Sequence, residues 1–566
     1  MRESGNNRLL VWMPSLGDAA FLMPVLFLFL KLDGARFLLG DGDTGWHLRT
    51  GEWILANKRV PDRDIFSFTK AGEPWYAWEW LWDVLFGWLH QQWGMAAVVL
   101  GSLLVLCVCA RMLYRMVRER CGDSLIAIAV TFVALAASSI HWLARPHLFT
   151  LLFLLVFYRI LERVAAGRTQ LIWWLPPLTI LWTNLHGGFF VGILLIGTYA
   201  AGDLAAWLLN PDDADRPAAL RRIRTYLFGA AGCLLASFVN PYGWRLHAHI
   251  IRYLTDPYHR NNISEFLSLN FHHKAAIYFE ILLALGAVAA LHSLMKREYA
   301  RPFLIVGWGH LALIAARNIP IYAFLAAPVI AATLKEGVER LREANVAGWI
   351  RRAAAGWASF SGEMSLMDRA ARVPWVSVAT LVAVAALMWA PAAPAKFRAE
   401  YDPKRYPARA IEALGPDYLA GNIFSDDEWG DYLIYRLYPS ARVFIDGRSD
   451  FYGARFGEEF GGLVRGRWDW QSKLERHGVE MAVLRADGPL ASLMKESGRW
   501  QVVYDDGIAI VFRRAGAEAR QVQLAGSSSA GDVIAGSRNG NPAVHGLGER
   551  AVRGLAPALA QIHGSP

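Results

Sequence analysis

Charge is scarce in this 566-residue chain: 19 % of its residues are charged, against about 25 % in an ordinary soluble protein, while 54 % are hydrophobic and mean hydropathy is +0.24. Long apolar runs therefore set the class, one large bilayer-embedded unit with an appendage in place of several soluble domains. Cysteine is equally sparse. The four present, Cys107, Cys109, Cys121 and Cys233, lie in or beside apolar runs, which excludes a disulfide framework or a zinc motif. There is no Walker motif, dinucleotide fingerprint, G-x-S-x-G elbow or H-E-x-x-H, which argues against ATP-driven transport, nucleotide-linked redox chemistry and familiar hydrolases. The net charge is +9, yet Lys and Arg fall in short clusters between apolar runs, a mark of topology and not of nucleic-acid binding.

What the sequence has is apolar helix. A first run near 19–39 follows Arg2 and Arg8 with no cleavage pattern after it, so a retained helix is expected, its upper boundary blurred by Lys31 and Asp33. Further runs lie near 95–114, 124–141, 147–163, 171–185, 188–208, 224–239, 275–294, 302–316, 318–334 and 374–392, giving about 11 spans. Several are short enough that re-entrant pairs stay open. Basic clusters at Arg115/Arg118/Arg120, Arg163/Arg168, Arg216/Arg221/Arg222/Arg224, Lys296/Arg297/Arg301 and 335–372 each follow an even number of spans. The N-terminus is thus expected in the cytoplasm and the C-terminal domain outside, with the basic amphipathic stretch 335–372 lying on the inner leaflet among membrane lipids. Glu280 and His310 fall inside spans, where an interhelical hydrogen bond is the expected role.

The organisation predicted is a transmembrane domain over 1–395 with a first outside loop at 40–94, a soluble α/β domain over 396–514, and a Gly/Ala/Ser-rich disordered tail over 515–566. In the soluble part, 422–425, 442–446, 481–485, 501–504 and 508–512 read as strands, with helices at 428–438 and 470–476. In the first outside loop, two Trp-rich helical patterns, around Trp46 to Leu55 and Trp78 to Trp93, are expected to lie in the membrane interface.

The outside segments hold most of the histidines and the conspicuous acids. Asp41-Gly-Asp43-Thr-Gly-Trp46-His47-Leu-Arg49-Thr-Gly51-Glu52-Trp53, with Ile65-Phe-Ser67-Phe68 and Trp78-Glu79-Trp80-Leu81, resembles the first loop of a bacterial family of GT-C-type membrane proteins. Protein mannosyltransferases, the lipid A aminoarabinose transferase and oligosaccharyltransferases share that architecture. The likeness extends to Arg145-Pro-His147, Asn184-Leu-His186-Gly187, Asn240-Pro-Tyr242-Gly243, Trp429-Gly430-Asp-Tyr432 and Phe444-Ile-Asp446-Gly-Arg448, most of residues 18–514.

This resemblance implies an α-helical polytopic membrane protein of GT-C-like fold in a bacterial inner membrane. It would transfer sugar from a polyprenyl-phosphate-linked donor to a protein or glycan acceptor outside. Asp43, then Asp41, would be the general base. Arg145 and Arg317 would neutralise the donor phosphate and His147 and His186 donate to it. Trp46, His47, Glu79, Trp80, Asn184 and Glu265 would contact substrate, and Asp41 and Asp43 with Glu79 or Glu265 could hold a divalent cation.

Each residue also has a plainer role open to it. Asp41 and Asp43 could cap a helix, the tryptophans anchor at the interface, the arginines snorkel to lipid phosphates, Asn184 and His186 form a turn, and Asp446-Gly-Arg448-Ser-Asp450 make a structural Asp/Arg turn. A glycan transporter or flippase and a noncatalytic envelope scaffold are the alternative functions, the first requiring intramembrane charge along a pathway and an internal repeat.

Overall fold

Ser15 opens the first helix, α1 (Leu16–Leu26), with a capping box: its hydroxyl accepts from the Asp18 N–H, and the Asp18 carboxylate accepts from the Ser15 N–H. The structure, a computed structural model, describes residues 11–210, 215–371 and 373–516, so the expected tail lies, from 517 on, outside the described residues. Pro24 sits inside α1 and the next turn, Phe27–Lys31, is π-helical, the adjustment made where proline removes a rung of the ladder. The chain breaks at Gly34, with φ +66°, so the first run is not one helix to residue 39.

Two helices follow in the 40–94 segment, α2 (Thr44–Asn57) and α3 (Trp80–Trp93). Interface helices were expected here, but the apolar side chains divide. Trp46, Leu48, Ile54 and Trp82 are buried, while Leu85, Trp88 and Trp93 are exposed. α2 is a core helix because the C-terminal part covers it. A Cβ on Gly42 would lie 2.4 Å from the Glu428 carbonyl, and one on Gly45 2.8 Å from that of Asp431, so only glycines admit that approach.

Five helices among the described residues are long and apolar enough to cross a bilayer: α4 (Met95–Cys121), Ser124–His141, Gly187–Leu209, Ala276–Met295 and Ala316–Glu343. Gly348–Ala370 and Trp375–Met388, bent by 70°, add a sixth if taken as one broken span. The chain is thus a multi-pass membrane protein. The expected total of about 11 also counted shorter or more polar helices: α1, α5 (His147–Ala165), α6 (Leu175–Leu185), Arg216–Ala236 and Ala300–Ile314. Glu280 and His310 are exposed, each close to one end of its helix, so the expected interhelical bonding does not occur. Beyond the bundle, α7 (Trp244–Thr255) lies in the long segment 240–274.

After the bundle come β1 (Gly421–Phe424), α8 (Asp427–Leu437), β2 (Ala441–Val443), α9 (Ser449–Val464), β3 (Met481–Arg485), β4 (Trp500–Asp505) and β5 (Ala509–Arg514). All five strands fall on the expected segments. The sheet order is β2-β1-β3-β5-β4, parallel from β2 to β3 and antiparallel beyond. The loop between α2 and α3 extends this sheet: the Phe68 N–H donates to the Val443 carbonyl at 3.1 Å, and the Val443 N–H donates to that of Phe66 at 3.2 Å. Loop and sheet are therefore locked in register.

Candidate functional site

A cavity of about 420 Å³ opens where the 40–94 loop, the helix ends of the bundle and the carboxyl end of β2 meet. Its lining joins charged and polar side chains, Asp43, His47, Glu79, Arg145, Glu265 and Arg317, with apolar ones, Phe190, Leu194, Leu254, Trp308, Leu311 and Ile321.

Asp43 occupies the position before α2, yet its side chain caps nothing. The Arg145 guanidinium takes it instead, Nη2 lying 2.5 Å from Asp43 Oδ2 while Nη1 lies 2.9 Å from Asp41 Oδ2. Asp41 also accepts from the Asp43 N–H at 2.8 Å, which fixes the turn. Arg145 is therefore not snorkelling. It is held before Pro146 at the start of α5, and Thr44 ties the two segments by donating to the Ala144 carbonyl at 3.1 Å.

On its other side Asp43 meets the sheet region. Its carboxyl lies beside that of Asp431 in α8, and the Gly447 N–H donates to Asp431 Oδ1 at 2.8 Å. A Cβ on Gly447 would lie 2.1 Å from Asp43 Oδ1, so a glycine is needed for the turn to reach the pair. Burial, above all, pushes the Asp43 carboxyl up to about 7; Arg145 opposes this and Asp41 adds to it. Asp431 is raised well above the carboxylate range by burial and by Asp43.

Glu79 stands between two histidines, Oε1 at 3.3 Å from His186 Nε2 and Oε2 at 3.4 Å from His47 Nε2. The expectation that His186 and His147 donate to a phosphate meets an obstacle in both cases. His186 Nδ1 accepts from the Gly188 N–H at 3.0 Å, so its one proton sits on Nε2, aimed at Glu79. His147 Nε2 donates to the His141 carbonyl at 2.8 Å. Neither ring has a spare N–H. Arg317, which pairs with Glu265 at 3.1 Å over the Phe266 ring, does not snorkel either.

Trp80 and Asn184 are not brought to the cavity. The Trp80 indole donates to Asn184 Oδ1 at 2.7 Å, and Asn184 Nδ2 donates to the Ile180 and Val239 carbonyls, so the pair fastens α3 to α6. Trp46 does line the cavity.

The carboxyl end of β2 contributes what the sequence left as a turn. Gly447, Arg448, Ser449 and Asp450 all line the cavity. Arg448 is structural: it pairs with Asp446 at 2.6 Å and with Asp64 of the outer loop at 2.7 Å, beneath the Trp75 ring. Asp450 faces the cavity and holds His249 of α7 at 2.8 Å. The alternation of acid, glycine and arginine after a strand was the available signal; nothing in it distinguished the clamp from the cavity wall.

A divalent cation does not fit these residues. The guanidinium of Arg145 already lies between Asp41 and Asp43, Glu79 is engaged by two histidines and Glu265 by Arg317, and no group of three or more ligand-type side chains among the described residues is arranged to hold a metal.

No protein-family model matches the chain, and no curated protein sequence matches it. Among solved structures it is similar to the archaeal oligosaccharyltransferase AglB of Archaeoglobus fulgidus, in complex with an inhibitory peptide and a dolichol-phosphate, with TM-score 0.51 and 12 % identity over 83 % of this chain and 69 % of that one. Apo and acceptor-tethered structures of an Archaeoglobus fulgidus oligosaccharyltransferase align at TM-score 0.48 with 13 % and 12 % identity, over 82 % of this chain and 68 % of theirs. The likeness shows that the chain shares the fold of AglB.

Proposed function

We propose that the protein is a glycosyltransferase that moves a sugar from a polyprenyl-phosphate-linked donor to an acceptor on the outer face of a bacterial inner membrane. The observation that carries this is a buried acid, Asp43, held by Arg145 at 2.5 Å at a cavity lined by both charged and apolar side chains. A lipid-linked sugar combines the same two chemistries. AglB, whose fold this chain shares, was solved with a dolichol-phosphate, a donor-type lipid.

In this reading the lipid tail lies along Leu194, Leu254 and Leu311. The phosphate meets Arg145 and Arg317, competing with the carboxylates that hold them. As Arg145 turns to the phosphate, Asp43 is released to accept a proton from the acceptor hydroxyl. The hydroxyl oxygen bonds to the anomeric carbon, and the bond from that carbon to the phosphate oxygen breaks with its electron pair going to phosphate. Asp41 keeps Arg145 placed between the two. Asp450, which lines the cavity and is braced by His249, is the acceptor-side contact. About 11 spans over 1–395, with 396–514 outside, complete the arrangement.

Asp43→Asn, followed by transfer from a radiolabelled polyprenyl-phosphate sugar, tests the assignment. Transfer is expected to be lost; transfer at the parental rate removes Asp43 as base.

A further inference from the structure

The mechanism just given leaves one buried group unused. Asp83 of α3 is 0 % exposed, its Oδ1 lies 2.6 Å from His47 Nδ1, and its Oδ2 is buried without any hydrogen-bond partner. An unsatisfied carboxylate oxygen in such a place is costly unless the group is protonated for part of its life. The position is imposed by the helix pair: a Cβ on Gly51 would lie 1.8 Å from the Asp83 carbonyl, so α2 and α3 touch backbone to backbone and His47 is pressed onto Asp83.

His47 bridges this acid to the cavity. Its other nitrogen, Nε2, is 3.4 Å from Glu79 Oε2. Burial keeps the His47 ring neutral, well below its ordinary range, so it carries one proton and has two places to put it. The far oxygen of Glu79 is fixed as an acceptor. Trp182 donates to Thr150 Oγ1 at 3.0 Å, which leaves the Thr150 hydroxyl to donate to His186 Nδ1 at 2.7 Å alongside the Gly188 N–H, and so His186 Nε2–H points at Glu79 Oε1.

Two proton arrangements satisfy the same heavy atoms. In one, Asp83 is the acid and donates to His47 Nδ1, while His47 Nε2–H faces an ionised Glu79. In the other, Glu79 is the acid facing His47 Nε2, and His47 Nδ1–H donates to an ionised Asp83. Passing between them breaks the Asp83 O–H and the His47 Nε2–H and forms the His47 Nδ1–H and the Glu79 O–H. One proton is carried to the cavity and one negative charge is carried away from it.

We infer that Asp83, His47 and Glu79 form a proton relay by which the cavity exchanges its own carboxylate charge for that of an arriving phosphate headgroup. The inference rests on the proposed lipid-phosphate donor. Asp83 is a positioning residue in it, acting on the headgroup only through Glu79. Glu79 is faced by Arg145, Arg317, Asp43 and Asp450; Asp83 by Glu79 and Tyr242; His47 by Arg145, Arg448, His147 and His186. Burial raises Glu79 to about 8 and Asp83 well above its usual range, and so favours the protonated form of each acid.

The test uses the purified full chain in detergent, with farnesyl phosphate as probe. Infrared difference spectra in the carboxylic C=O region and proton exchange with weakly buffered solvent are recorded on binding at a pH above about 8, the value to which burial raises Glu79, so that Glu79 starts ionised. In the parent, one carboxylic band is expected to vanish and another to appear with little net proton uptake. Asp83→Asn should bind with uptake of about one proton per headgroup, and Glu79→Gln should bind with neither bands nor uptake. Binding by the parent without the paired bands, or the same proton uptake in the parent and Asp83→Asn, overturns the relay and leaves the donor reading standing. No binding by the parent overturns both.

Discussion

Two clusters of buried acid and arginine lie at opposite ends of the bundle, and they are built differently. Around Asp368, Oδ1 accepts from the Leu16 N–H at 2.7 Å, while Oδ2 accepts from Tyr114 at 2.7 Å, Arg118 at 2.5 Å and Ser124 at 3.2 Å. Asp18 beside it takes Arg111, Ser377 and its own cap. Arg118 is 23 residues along α4 from Met95, about 35 Å from the outer end. Every oxygen there has a donor, and neither acid lines the cavity. Around Asp43 and Glu79 there is a cavity, the Asp43 carboxyl lies against that of Asp431, and Arg145 Nε and Asp83 Oδ2 have no partner. A latch uses up its hydrogen-bonding capacity; a site keeps some in reserve.

The contrast is sharpest in substitutions that should part activity from stability. Asp43→Asn is expected to lower transfer by about 10²- to 10⁴-fold, the usual worth of a positioned base, with the thermal midpoint unchanged or raised. Asp43 is held up near 7, so it is protonated, and unable to accept a proton, below that value. The transfer rate measured across pH should therefore fall about tenfold per unit on the acid side, and a rate that stays level there breaks the assignment. Asp368→Ala should do the reverse. It leaves Arg118 and the Leu16 N–H without their acceptor at a cost of about 3 kcal/mol, read as a lower thermal midpoint, while transfer per folded molecule is kept. The smallest effect is expected at Trp80→Phe, which forfeits one hydrogen bond to Asn184, about 1 kcal/mol. A large loss of transfer with full stability would instead return Trp80 to the substrate.

Much of the outer site was legible because its residues come with local signals. Acids directly after a first apolar run, and an Arg-Pro-His and an Asn-Leu-His at span ends, mark places where charge is costly unless used. The strands were legible from short β-branched and aromatic segments bounded by turns. What could not be read is whatever depends on two distant segments touching. Trp80 and Asn184 are 104 positions apart and satisfy each other. Asp83 sits in an amphipathic Trp-rich pattern where a lone acid marks a solvent face, and only the contact of α2 with α3 turns it inward. The interfacial assignment of Trp46 failed for the same reason: a tryptophan under a second layer of protein has the same spacing as one facing lipid. Gly447 gave no sign at all, since its role is to be small beside an acid 404 positions earlier.

The turn Asp446–Asp450 and helix α8 approach Asp43 together, with a Cβ on Gly430 only 2.0 Å from the Ile445 carbonyl and Asp431 bonded to Gly447. They are fixed to each other as well as to Asp43. A chimera that imported a foreign sheet domain with only one of the two would leave Asp43 facing a mismatched neighbour. Grafts of this protein should therefore be cut outside residues 421–464, so that both travel as a single cassette.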